Sequence, residues 1–255
     1  MIDGNGNLGD SEHGTRILAR IAIAAAISLV SAKAEEPDVE EPEKPVEITQ
    51  TGDTTYRYGK ITFDKKDRSV RIPAKVVQRN VLLEYVLVHE NGKTHESILA
   101  TDASAMRLHT VLLLLRYSQS KEMLNPSVPA EMAVSGETAE EKAGAQLTVT
   151  VSWDDPESGE PQTAPIESWI THLDDDDTES PVSPGPFILT GSRIYEGKFV
   201  AEIDGNILAL YLDPTALINN PRKDNFSDES WLANKSVIPP LDTEVTLVIS
   251  PTPPK

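Results

Sequence analysis

The sequence predicts an α+β fold: strand-dominated, with antiparallel or mixed sheets and one long buried helix after a β-hairpin. Three observations carry this. Apolar and polar residues alternate at period two, most clearly in Ala145–Trp153 (AQLTVTVSW), the pattern of a strand with one buried face. Asn91-Gly92 lies between two apolar runs, and a type I′ turn needs positive φ at both central positions, which this dipeptide tolerates. The run Val111-Leu112-Leu113-Leu114-Leu115 falls in a helical stretch from Ala103 to Arg116. It is apolar on nearly every face, so the helix should be deeply buried.

Each element follows in order. Tyr58–Phe63 reads as a strand, Asp64–Asp67 as a polar turn and Ser69–Ala74 as the returning strand. Leu82–His89 is a third strand, and Lys93–Ala100 returns antiparallel to it after the Asn91-Gly92 turn. Asp102 or Ser104 caps the helix. Residues 118–144 hold few large apolar side chains and read as an insertion. Asp154–Gly159 turns Ala145–Trp153 back toward Glu160–Pro165, and Ile166–His172 forms a helical turn. Further strands are Phe187–Ser192, Gly197–Ile203, Ile207–Leu212 and Glu244–Ile249. Residues 219–235 read as polar loop.

The N-terminus reads as an address. Arg16 and Arg20 precede Ile21–Val30 (IAIAAAISLV), then Ala32-Lys33-Ala34 and Glu35-Glu36. A basic region, a short apolar core and an A-x-A site predict a secretory signal over residues 1–34, cut near Ala34. The apolar core is short of the ~20 residues that span a bilayer. No stable membrane span is expected in the mature chain, which should be periplasmic or secreted. Residues 35–55 begin EEPDVEEPEKPVEITQ; alternating proline and carboxylate predict an acidic, extended linker. Residues 56–255 form the remaining domain.

Composition excludes several chemistries. The chain has 41 acids, 23 bases and a net charge of -18. Nucleic acid needs a basic footprint, so it is excluded as a partner. The signal carries three bases and three acids, so the acidity belongs to the mature protein. There is no cysteine, which removes disulfides, thiolate metal sites and cysteine nucleophiles together. No cofactor and no metal are expected.

The densest polar cluster is His89–Ser97 (HENGKTHES). On a two-residue hairpin, Lys93, His95 and Ser97 share one face and His89, Thr94 and Glu96 the other, so His95 and Glu96 point apart. His95-Glu96 does not open a zincin motif, since position 99 is Leu. His95, Glu96 and His109 are the candidate catalytic residues, for metal-dependent or acid–base hydrolysis. Lys93 and Ser97 are weaker candidates for ligand binding. Asp174–Asp177 fails the calcium-loop pattern, because Glu179 stands where that loop needs Gly.

Leu83–Leu115, with Gly92-Lys93 before His95-Glu96-Ser97 and His109 before the leucine run, resembles the YdjY domain of bacterial secreted proteins. Val149–Trp153 and Ile238–Ile249 resemble further segments of that family. The resemblance implies a secreted or periplasmic domain, sometimes labelled ferredoxin-like, without supplying a reaction. Iron–sulfur chemistry does not carry over, because no cysteine is present. The leading expectation is therefore a non-catalytic binding or scaffold module for an unknown protein or cell-envelope ligand. A hydrolase using His95, Glu96 and His109 is the alternative.

Overall fold

The structure, a computed structural model, describes residues 46–120, 123, 145–174, 176 and 178–253. The expected signal, the linker up to residue 45, most of the 118–144 insertion, and Asp175 and Asp177 of the acidic loop lie outside the described residues.

The chain runs through β1 (Ile48–Gln50), β2 (Thr55–Tyr58), β3 (Ile61–Asp64), β4 (Val70–Val76), β5 (Tyr85–His89), β6 (Ser97–Thr101) and α1 (Ala105–Leu114). Next come β7 (Gln146–Asp154), β8 (Pro161–Pro165), β9 (Ile170–Leu173), β10 (Glu179–Pro181) and β11 (Phe187–Leu189). The last third holds β12 (Ile194–Tyr195), β13 (Lys198–Phe199), α2 (Val200–Asp204), β14 (Asn206–Ala209), β15 (Ile218–Asn219), β16 (Trp231–Ala233) and β17 (Glu244–Pro251).

Eight strands close a barrel in the order β4-β17-β7-β11-β15-β14-β5-β6, with β6 pairing back to β4. The alternating sequences explain the wall. Val70, Ile72, Ala74 and Val76 of β4 are buried, and Arg71, Pro73 and Lys75 between them are exposed. Register stacks the inward side chains in rows: Ile72–Leu247–Val151, and Val70–Ile249–Val149. These residues join Leu87, Leu99, Leu189 and Leu208 in one core cluster. Burying each such side chain fully is worth about 1.5–3 kcal/mol. The barrel interior is filled by side chains, as eight strands allow.

The expected α+β class is corrected: the fold is mostly β, built on a closed barrel, and among the described residues no long buried helix occurs. Helix α1 is ten residues long, capped by Ser104 through Arg107 N–H donating to Oγ at 3.2 Å. It buries only Ala105, Leu108, Val111 and Leu112. Leu113 and Leu114 stay 46% and 56% exposed, because the barrel covers one side of the helix. Composition at period 3.6 shows which residues can be buried, but not whether a second layer exists to bury them.

The hairpin is corrected too. β5 and β6 run parallel, with Tyr85 beside Ser97 and His89 beside Thr101. The chain returns through residues 90–96 and a 3₁₀ turn at Thr94–Glu96. Neither Asn91 nor Gly92 has positive φ, so there is no type I′ turn. Gly92 is needed for close approach instead: a Cβ there would lie 3.0 Å from the Asp204 carbonyl and 3.4 Å from Gly205 Cα. Gly205 has φ 75° as the C-cap of α2, and His89 N–H donates to its carbonyl at 2.8 Å. Two glycines therefore let the β5–β6 crossover sit directly on the turn into β14.

Three smaller differences matter. Gly59 (φ 62°) splits the expected Tyr58–Phe63 strand into the β2–β3 hairpin. Val200–Asp204 is helical rather than extended, and its Glu202 reaches α1, where Oε2 accepts from Met106 N–H at 2.9 Å and Ser104 Oγ at 3.0 Å. A carboxylate at a helix N-terminus is stabilised there. Trp231–Ala233, expected as loop, pairs with β9 in a small second sheet. Among the described residues no helix is long and apolar enough to cross a membrane.

Candidate functional site

β4 and β7 each exchange partners along one edge. β4 pairs first with β3 and then with β6; β7 pairs first with β11 and then with β8. Strands β6, β4, β17, β7 and β8 thereby lie side by side, and a cleft of about 720 Å³ crosses their outer face. Its floor is the outward row Pro73–Thr246–Ser152–Thr163, set by register. Lys75 stands opposite Glu244 in the same floor. Trp153, braced edge-on against Trp169 at 5.2 Å between ring centres, lines it as well.

The loops at the strand ends supply charge. Carboxylates of Glu90, Asp102, Asp154, Asp242 and Glu244 line the cleft, against two ammonium groups, Lys60 and Lys75. Lys60 is bonded to Asp102. Among the described residues the other four carboxylates and Lys75 make no ion pair. Unpaired charges of one sign in a concave site focus the field and raise the local concentration of counter-charged ligand.

The residues singled out from sequence sit elsewhere. Lys93 lies 2.5 Å from Glu84 Oε2 and 3.5 Å from Glu96 Oε2, with its ammonium 5.3 Å from the centre of the Tyr85 ring. Burial pulls the Lys93 pKa down, but the bonds to Glu84 and Glu96 outweigh it and the net shift is upward. The expectation that His95 and Glu96 point apart is overturned: His95 Nε2 is 3.3 Å from Glu96 Oε1. A 3₁₀ turn replaces the strand whose alternation would have separated them. His95 is 73% exposed. Ser97 is buried, and its hydroxyl donates to the Leu99 carbonyl at 2.9 Å.

His109 faces a different neighbourhood. Its ring stacks on Phe199 at 5.2 Å with planes 1° apart. The Gln119 side-chain amide contacts its Nε2. Among the described residues no hydrogen bond, ion pair or ring contact joins His109 to His95 or Glu96. Nor is any group of three or more His, Asp or Glu arranged to hold a metal.

Burial lowers the His109 pKa below its ordinary value. The folded protein thus resists protonation that the unfolded chain accepts below pH ~6.5. Stability from this group is present above that pH and is lost as pH falls through the folded value. Urea unfolding followed from pH 7.5 to 5 should show a declining midpoint, and His109→Gln should flatten the decline. An unchanged slope in the variant would contradict this.

Two arrangements have no signal in the sequence. Asp213 is buried and accepts from Tyr85 Oη (2.9 Å), Asn206 Nδ2 (2.8 Å), and Thr215 N–H and Oγ1 (both 2.7 Å). Asn219 continues the network: its Oδ1 accepts from Asp213 N–H at 2.8 Å, and its Nδ2 donates to Thr190 Oγ1 at 2.8 Å. His172 lies between two carboxylates, 3.2 Å from Asp174 Oδ1 and 3.1 Å from Asp224 Oδ2, beside Trp231. The first ties loops to the barrel strands β5 and β14, and the second ties the loop at Asp224 to β9 of the small second sheet.

A family model described as the YdjY domain matches residues 61–250. That span runs from the first residue of β3 into β17 and includes every strand of the barrel. Comparisons with curated proteins and with solved structures find no match to this chain.

Proposed function

The chain belongs to the YdjY domain family, and on that footing we propose that it is an exported, non-catalytic binding module whose ligand lies in the cleft across β6, β4, β17, β7 and β8. One observation carries the reading. The barrel interior is packed, while its outer face holds a cleft of about 720 Å³ whose carboxylates are largely unpaired. Uncompensated charge in a concave site costs self-repulsion unless a ligand offsets it. The basic, apolar and A-x-A pattern over Arg16–Ala34 supports export. The hydrolase alternative would need His95 and His109 on one cleft, and their contacts belong to separate sets.

Two measurements test this. Expression of the full chain in a secreting bacterium should yield a processed product beginning at Glu35 outside the cytoplasm. Unprocessed protein retained in the cytosol would overturn the export half. A saturation-transfer NMR screen with amines, short peptides and muropeptides should give binders that Thr246→Trp abolishes, since the indole would fill the cleft floor without entering the core. Binders indifferent to that substitution would overturn the cleft as the binding site.

A further inference from the structure

We infer that the cleft takes an extended, cationic peptide segment of about six residues, lying across the strands rather than along them; this rests on the cleft being the binding site. Charge sets the sign of the ligand. Glu90, Asp154, Asp242 and Glu244 have no ion-pair partner among the described residues and come from four different loops or strands.

The floor argues for a peptide over a simple polyamine. Lys75 is exposed at the floor, where its ammonium can donate to peptide carbonyls and would repel a polyamine. Thr246 and Thr163 present hydroxyls along the same row, suited to backbone amides and carbonyls. Size follows from the sheet. Five strands at ~4.8 Å spacing span about 19 Å, the length of about six extended residues.

Binding along the free edge of β8 is disfavoured by its sequence. Pro161, Thr163 and Pro165 oppose Asp154, Ser152 and Thr150, so all three share one parity of the ladder. With that parity turned outward, the β7–β8 ladder loses no donor, and the outer edge offers a single N–H, that of Thr163. Prolines so placed block an added strand, which leaves the face of the sheet.

Isothermal titration of the full chain with four probes tests the inference: acetyl-(Lys-Ala)₃-amide, the Glu and Ser versions of the same peptide, and spermine. The lysine peptide should bind tightest, and more weakly as salt rises. The quadruple variant Glu90→Gln, Asp154→Asn, Asp242→Asn, Glu244→Gln should weaken it at least about tenfold. A control losing the same charge elsewhere (Asp53→Asn, Glu157→Gln, Asp228→Asn, Glu229→Gln) should change it little. Tighter binding of spermine or of the Glu or Ser peptide would overturn the inference, and so would equal effects of the two variants. If the Ser peptide binds and Thr246→Trp abolishes it, the cationic inference falls and the cleft stands; if no probe binds, both fall.

Discussion

Replacing Glu167 with alanine should lower the unfolding free energy by about 3–5 kcal/mol. Glu167 is only 4% exposed, and its Oε1 lies 2.8 Å from Arg222 Nη2. The same oxygen accepts from Gly185 N–H at 3.1 Å. Arg222 is held on its other sides by the Gly185 carbonyl (2.9 Å), Asn220 Oδ1 (3.0 Å) and the Phe187 ring, 4.8 Å from the guanidinium carbon. Burial lowers the Arg222 pKa and Glu167 opposes that shift, but guanidinium stays charged at any working pH. Removing the carboxylate takes the only ionic partner among the described residues from a half-buried cation (17% exposed) that is left with neutral acceptors alone, the costly way to break such a pair. Replacing both partners, as Glu167→Leu with Arg222→Met, should cost much less than the single change. Urea unfolding of the four proteins in a double-mutant cycle measures this; a single-variant loss below about 1 kcal/mol would place the pair among surface bridges of little worth.

Asp213→Ala should cost a similar amount, about 3–5 kcal/mol, for a different reason. The substitution leaves four donors from Tyr85, Asn206 and Thr215 without their acceptor, each unmet buried group costing roughly 1–3 kcal/mol before relaxation. Asp213→Asn keeps one oxygen and should fall between. The same site predicts an alkaline limit. Burial, then Asp213, pushes the Tyr85 pKa up, and burial does the same to Tyr117. The unfolded tyrosines ionise near pH 10. Stability from these groups is therefore complete below that pH and is lost as pH rises above it toward the folded values. Unfolding midpoints from pH 8 to 11 should fall at the alkaline end, and less steeply in Tyr85→Phe.

Much of the wall was legible. β4, β7 and β17 alternate so regularly that their buried residues follow from period two alone. Closure was not legible, because it depends on β4 changing partner from β3 to β6 within seven residues, a choice no local pattern records. Asn91-Gly92 misled for a physical reason. The dipeptide permits a type I′ turn, but permission is not requirement, and here Gly92 serves contact with Gly205. The cluster His89–Ser97 stood out because its polar residues are consecutive. The cleft carboxylates did not, being spread over positions 90, 102, 154, 242 and 244 and gathered only by strand register and the loops at the strand ends. The acidic linker and Asp174–Asp177 are runs that the eye finds; the cleft is acidic without containing one.

The most direct measurement is an amide ¹H–¹⁵N titration of the full chain with acetyl-(Lys-Ala)₃-amide. The account predicts shifts concentrated on Lys75, Thr101, Asp154, Thr163, Glu244 and Thr246, saturating together. Shifts confined to the His95-Glu96 turn, or to the acidic loop around Asp174 and Asp176, would contradict it.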